Sequence, residues 1–253
     1  MSAIRSALFL LWMTVTVVPW GTFAVLASIF VRGRPIYAIC AGWLKATVWG
    51  CRVICGVRHR ITGWENLPDA PVILLSKHQS TWETFAYPAL MPRNLCYVFK
   101  RELLYIPFFG WAMARMDMIH IDRSKRNAAW SKVAEQGKRF MDAGDWVIMF
   151  PEGTRSARGS QGTYKNGGTR LAVATGRCVV PIAVNAARCW PRKSFLIRPG
   201  IVDLSIGKPI DPAGWTEDGL MREVERWIEA EMRVISPAVY ASERAPAAAA
   251  PIR

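Results

Sequence analysis

The segment Lys77-His78-Gln79-Ser80-Thr81-Trp82-Glu83 holds a histidine followed five positions later by a carboxylate. If the turn after His78 opens a helix, the carboxylate can reach one imidazole nitrogen and fix the tautomer. The other nitrogen is then free to act as a base. A histidine in a loop can equally serve as a surface or capping residue. A second cluster is Phe150-Pro151-Glu152-Gly153-Thr154-Arg155-Ser156. Gly153 permits close backbone approach, and exposed amides with Thr154 and Arg155 suit an anion. An ordinary polar turn after a strand would look the same. The third cluster, Ile121-Asp122-Arg123, follows the apolar patch Ile106–Trp111. Arg123 offers a planar fork of donors for phosphate, or pairs with a carboxylate as a structural residue.

Something must bring these clusters together. Val72–Leu75 runs apolar into Ser76-Lys77-His78, Leu95–Phe99 into Lys100, and Trp146–Phe150 into Pro151-Glu152-Gly153; Val179–Val184 is a fourth such run. Short continuous apolar runs bounded by polar turns predict strands buried on both faces. Between them lie helical patterns. One starts at a Ser124 N-cap, repeats through Trp130, Val133, Ala134, Gly137, Phe140 and Met141, and stops at Gly144. Another places Leu220, Val224, Trp227, Ile228, Met232 and Ile235 on one stripe behind a Thr216 cap, with Glu217 and Asp218 at the positive helix end. The alternation predicts an α/β domain over about 58–236. Ligands in open α/β sheets gather where strands end at their carboxyl edge, so the polar clusters should converge. The Ala- and Pro-rich tail, 237–253, is expected not to fold.

The first 57 residues differ in kind. Ala7–Val31 carries no charged residue and is long enough to cross a hydrocarbon core of ~30 Å. Pro19 and Gly21 interrupt it. A spanning helix tolerates them, and so does a hairpin dipping into one leaflet. Ile36–Val57 is a second apolar stretch with only Lys45 and Arg52, and its Trp43 and Trp49 suit a membrane interface. Region 1–57 is therefore read as a membrane-anchoring helical segment. Most later Lys and Arg lie downstream, which puts the body in the cytoplasm of a bacterial-type inner membrane. The net charge of +14 can serve solubility, or attraction to an anionic partner. The basic residues are dispersed and no nucleic-acid module is present, so the partner is lipid rather than nucleic acid. The six cysteines show no CxxC spacing, which fits reduced, packed thiols. Cys51, Cys55 and His59 recur every four residues and could share a helix face, either as metal ligands or as ordinary packing.

Taken together, the clusters resemble the glycerolipid acyltransferases, specifically the 1-acylglycerol-3-phosphate acyltransferase family, over about residues 60–215. That family has four ordered blocks. His78 and Glu83 occupy its His-x4-Asp block. Phe108-Phe109-Gly110-Trp111 and Arg123 occupy the second. Phe150–Ser156 is the third without alteration, and Val180-Pro181-Ile182 is the fourth. Glu83 replaces the usual Asp; it is one methylene longer but keeps the charge and both acceptor oxygens. The resemblance implies a mixed, largely parallel sheet flanked by helices, with an N-terminal membrane-embedded segment. It implies that His78 takes the proton of an acceptor hydroxyl, oriented by Glu83, and that the oxygen attacks an acyl thioester directly. The acceptor phosphate would be held by Arg123, Arg155, Gly153 and Thr154, with help from Lys100. Glu152 would contact the acceptor glycerol or order the loop. The implied partners are an acyl-ACP or acyl-CoA donor, a lysophospholipid acceptor and the bilayer, with no cofactor and no metal. Rival acceptors are a lyso-ornithine lipid or lysophosphatidylglycerol. A thioester hydrolase using Ser80 lacks a GxSxG elbow, and a non-catalytic lipid binder would not need the His78–Glu83 pair.

Overall fold

The computed structural model describes residues 1–121 and 126–240. In chain order the elements are α1 Ser2–Ala27, α2 Arg34–Cys55, β1 Val57–Thr62, β2 Ile73–Ser76, α3 Thr81–Leu90 and β3 Leu95–Lys100. They continue with α4 Phe109–Met113, β4 Ile119–Ile121, α5 Arg126–Asp142, β5 Trp146–Met149, α6 Gly167–Thr175, β6 Val179–Val184, β7 Gly200–Ile206, α7 Glu217–Ile235 and α8 Pro237–Tyr240.

The strands form one sheet in the order β1-β7-β6-β2-β5-β3-β4. Every neighbouring pair is parallel except β6 with β7. The four apolar runs are strands, within a residue or two at each end. Each is apolar on both sides because the sheet is covered on both faces. Leu74, Trp146, Ile148, Val180 and Ile182 face a core shared with α1, α2 and α3. The alternate residues Ile73, Leu75, Val147, Val179 and Ala183 face α5, α6 and α7. The stripe on α7 faces that second core, and the Thr216 hydroxyl caps the helix by accepting from the Gly219 amide at 3.1 Å. Gly144 takes a φ of +92° just past α5, as a helix stop requires. Ser124 lies outside the described residues.

Strands β1, β4 and β7 were not legible as apolar runs. β1 reads Val-Arg-His-Arg-Ile-Thr and alternates buried and open positions at the sheet edge, while β4 has three residues. The Cys51–Cys55–His59 spacing does not lie on one helix. α2 stops at Cys55, Gly56 turns the chain with a φ of +73°, and His59 belongs to β1. Chain past Ser236, expected not to fold, makes one more helical turn that buries Tyr240; residues 241–253 lie outside the described set.

Pro19 and Gly21 do not break the first apolar segment. α1 runs through both, and the turn comes at residues 28–33. α1 and α2 then pack antiparallel. Trp20 Nε1 donates to the Ile39 carbonyl (2.8 Å) and Trp43 Nε1 to Thr16 Oγ1 (3.0 Å). Gly42 and Gly50 leave room for the Trp20 and Trp12 rings, which a Cβ would meet at 2.9 and 2.6 Å. Both helices are long and apolar enough to cross a membrane.

Candidate active site

β2 and β5 are parallel neighbours, so the polar segments after them emerge side by side. After β2 the chain extends through Lys77 and His78, and the Ser80 side chain caps α3 by accepting from Trp82 N at 3.1 Å. That cap puts Glu83 in the first helical turn, where the helix dipole favours an anion. Glu83 is 0% exposed. Its Oε2 lies 2.6 Å from His78 Nδ1, and both of its oxygens accept from the Gln79 amide at 3.0 Å. Nδ1 beside a carboxylate carries the ring proton, which leaves the Nε2 lone pair for chemistry. Burial pushes the Glu83 carboxyl above its ordinary value, opposed by the hydrogen bond and charge interaction with His78 and by the Gln79 amide. The imidazole stacks on Phe150 with centroids 3.9 Å apart and rings 18° from parallel. Its side chain stays 13% exposed. Ser80, as a buried cap, is not placed as a nucleophile.

The loop after β5 is stitched to the histidine turn. The Ser156 amide donates to the His78 carbonyl (2.8 Å), and the His78 amide donates to Glu152 Oε1 (2.9 Å). Gly153 turns the loop with a φ of +68°. Arg155 is exposed, and its Nη1 donates to the Thr81 hydroxyl at the head of α3, which sets a guanidinium beside the histidine turn. Thr154 is exposed on the same loop. Glu152, expected to touch the acceptor glycerol or to order the loop, is buried and accepts from the His78 amide. Lys100 ends β3, but its side chain, like Arg123, lies outside what the structure describes. The geometry therefore unites His78, Glu83, Glu152, Gly153, Thr154 and Arg155.

Several residues here escaped the sequence reading. Lys77 is fully buried between two carboxylates, 2.7 Å from Glu229 Oε1 on α7 and 3.3 Å from Glu152 Oε2. Its ammonium also donates to the Ser160 carbonyl (3.2 Å). Tyr164 donates to Glu229 Oε1 at 2.7 Å; burial pushes its phenol far above the ordinary value, so it remains a neutral donor. The signal that could have found Glu229 is its place next to Ile228 on the apolar stripe of α7. Lys165 brings its ammonium within 3.1 Å of where a Cβ on Gly153 would stand, adding a cation at the anion loop.

The sheet presents an imidazole oriented by a buried acid beside an arginine, the elements that general-base chemistry needs. Residues 58–185 match the family model described as Acyltransferase, and the chain belongs to that family. Within it, the chain is similar to the 1-acyl-sn-glycerol-3-phosphate acyltransferases. It is 40% identical over 239 residues to that of Pseudomonas aeruginosa, covering 93% of each chain. It is 30% identical over 216 residues to that of Saccharomyces cerevisiae, covering 81% of this chain and 69% of the yeast one. Among solved structures, the crystal structure of the 1-acyl-sn-glycerophosphate (LPA) acyltransferase PlsC from Thermotoga maritima superposes with a TM-score of 0.77 at 26% identity. That match covers 93% of this chain and 98% of the other.

Proposed function

We propose that this chain transfers a fatty acyl group from a thioester to the sn-2 hydroxyl of 1-acyl-sn-glycerol-3-phosphate, giving phosphatidic acid. The observation that carries this is the His78 imidazole held at Nδ1 by buried Glu83, with Arg155 beside it. His78 Nε2 takes the hydroxyl proton as the oxygen attacks the acyl carbonyl. The C–O bond forms, the C–S bond breaks, and the imidazolium returns its proton to the departing thiolate. Glu83 stabilises the imidazolium without taking the proton. Arg155, Gly153 and Thr154 hold the phosphate, with Lys165 close by, and the family resemblance adds Lys100 and Arg123 as further phosphate-binding cations. Glu152 orders the loop. The donor is acyl-ACP or acyl-CoA.

The membrane reading follows from packing. α1 is ~39 Å long. Near its start, Ser6 and Phe9 touch Ile197 and Trp190. Near its end, Gly21 lies against Phe108, and Ala24 packs in one cluster with Met116. A helix held by the α/β domain at both ends cannot stand upright in a bilayer without dragging that domain into the hydrocarbon. Its outer residues Ile4, Leu8, Leu11, Val15 and Val18 recur at spacings of four and three and are exposed. That stripe suits a hairpin lying in one leaflet, with the catalytic body on the cytoplasmic side of the inner membrane, where acyl thioesters are made.

Purified protein in detergent, given 1-acyl-sn-glycerol-3-phosphate with either thioester, should form phosphatidic acid. Preference for a lyso-ornithine lipid or lysophosphatidylglycerol, or thiol release without any acceptor, would overturn the assignment. Arg155→Ala should raise KM for the phosphate acceptor roughly 10- to 100-fold, the value of a hydrogen bond to a charged group. Because the side chain is exposed, its melting temperature should barely move. An unchanged KM in that variant removes Arg155 from the phosphate site.

A further inference from the structure

The connection between β6 and β7, residues 185–199, has no part in the proposed chemistry. It contains no acidic residue and exposes Arg188, Arg192, Lys193 and Arg198. Among these cations, Phe195 is 52% exposed and Leu196 37%. The loop is built rigidly. Trp190 Nε1 donates to the Ser194 carbonyl (3.1 Å), the Leu196 amide to Ser194 Oγ (3.0 Å), and the Arg198 amide to the Cys189 carbonyl (2.9 Å). Lys193 adopts a φ of +56°, which a side-chain-bearing residue rarely takes. A loop held this firmly cannot fold its Phe and Leu inward. On one side it is joined to α1, through the Ile197 amide on Ser6 Oγ (2.8 Å). On the other, Arg192 Nη1 donates to the Arg155 carbonyl (2.6 Å).

We propose that residues 188–198 are a second membrane-contact element. Phe195 and Leu196 enter the headgroup–acyl boundary, and the surrounding cations rest on anionic headgroups. Arg192 ties that contact to the catalytic turn. The occupant is a lipid surface because the apolar pair directly precedes Ile197, which is tied to the apolar helix α1, while the cations complement anionic lipid. The proposal rests on the membrane reading above and not on the acyl-transfer assignment.

Phe195→Cys, combined with Cys178→Ser and labelled with an environment-sensitive fluorophore, tests it directly, since the remaining native cysteines are buried. Phosphatidylcholine vesicles containing phosphatidylglycerol should shift the emission to the blue, and phosphatidylcholine alone should do so less. Adding Arg188→Gln, Lys193→Gln and Arg198→Gln should raise the anionic lipid needed for half the shift by roughly 5-fold per charge. No shift with either vesicle overturns the proposal. A shift with acidic acyl carrier protein but not with vesicles also overturns it and assigns the loop to that protein. Acyl transfer by the same labelled sample to a short-chain soluble acceptor reports separately on the catalytic assignment.

Discussion

Glu83→Gln should lower kcat by roughly 10³-fold while leaving KM for the acceptor nearly unchanged. The amide can still accept from Gln79 through its oxygen, which places its NH₂ against His78 Nδ1. Nδ1 must then accept, the proton moves to Nε2, and the base is lost without any loss of packing. Because Glu83 is fully buried and touches no substrate, binding is spared. His78→Ala should lose at least as much activity. Stability should move the other way in Glu83→Gln. A carboxyl whose folded pKa is raised takes up protons on folding, so its charged form costs stability as pH rises above the ordinary Glu value of about 4.3. The variant should match wild type near pH 4 and melt at the same or a higher temperature at pH 7. Full acyl transfer by Glu83→Gln would remove the imidazole from the mechanism.

The other large effect belongs to Lys77. Lys77→Met leaves Glu152 and Glu229 buried with no cation between them. Removing one partner of a buried ion pair costs about 3–5 kcal/mol, which for a chain of this size lowers Tm by roughly 6–20 °C. Lys77→Met/Glu229→Gln removes one uncompensated charge and should recover a good part of that loss. Thermal unfolding in detergent measures both. The His78 amide hangs on Glu152, so kcat of Lys77→Met should also fall, even where the protein remains folded. A Lys77→Met protein as stable as wild type would show that the three groups are not coupled as the geometry implies.

The legible parts were local. His78 and Glu83 are five residues apart on one turn, so spacing alone carried their pairing. Phe150–Ser156, a glycine and an arginine after an apolar strand, took its meaning from the other blocks in order with it. The inner strands were legible because burial on both faces leaves an unbroken apolar run. The edge strand β1 and its neighbour β7 carry charged residues and so gave no such run. The loop from Pro191 to Pro199 carries nothing in its sequence that marks its rigidity.

Residue type and spacing alone marked the imidazole with its neighbouring acid, the glycine- and arginine-bearing loop and the two apolar N-terminal segments. Each is a pattern within a dozen or so residues, or a composition. Tertiary structure alone decided that Lys77 is caged by Glu229 from 152 residues away, that Glu152 turns inward to hold the His78 amide, and that α1 is clasped at both ends. Those outcomes depend on which elements the sheet order makes neighbours, and no local periodicity encodes the distance between two side chains brought together by the fold.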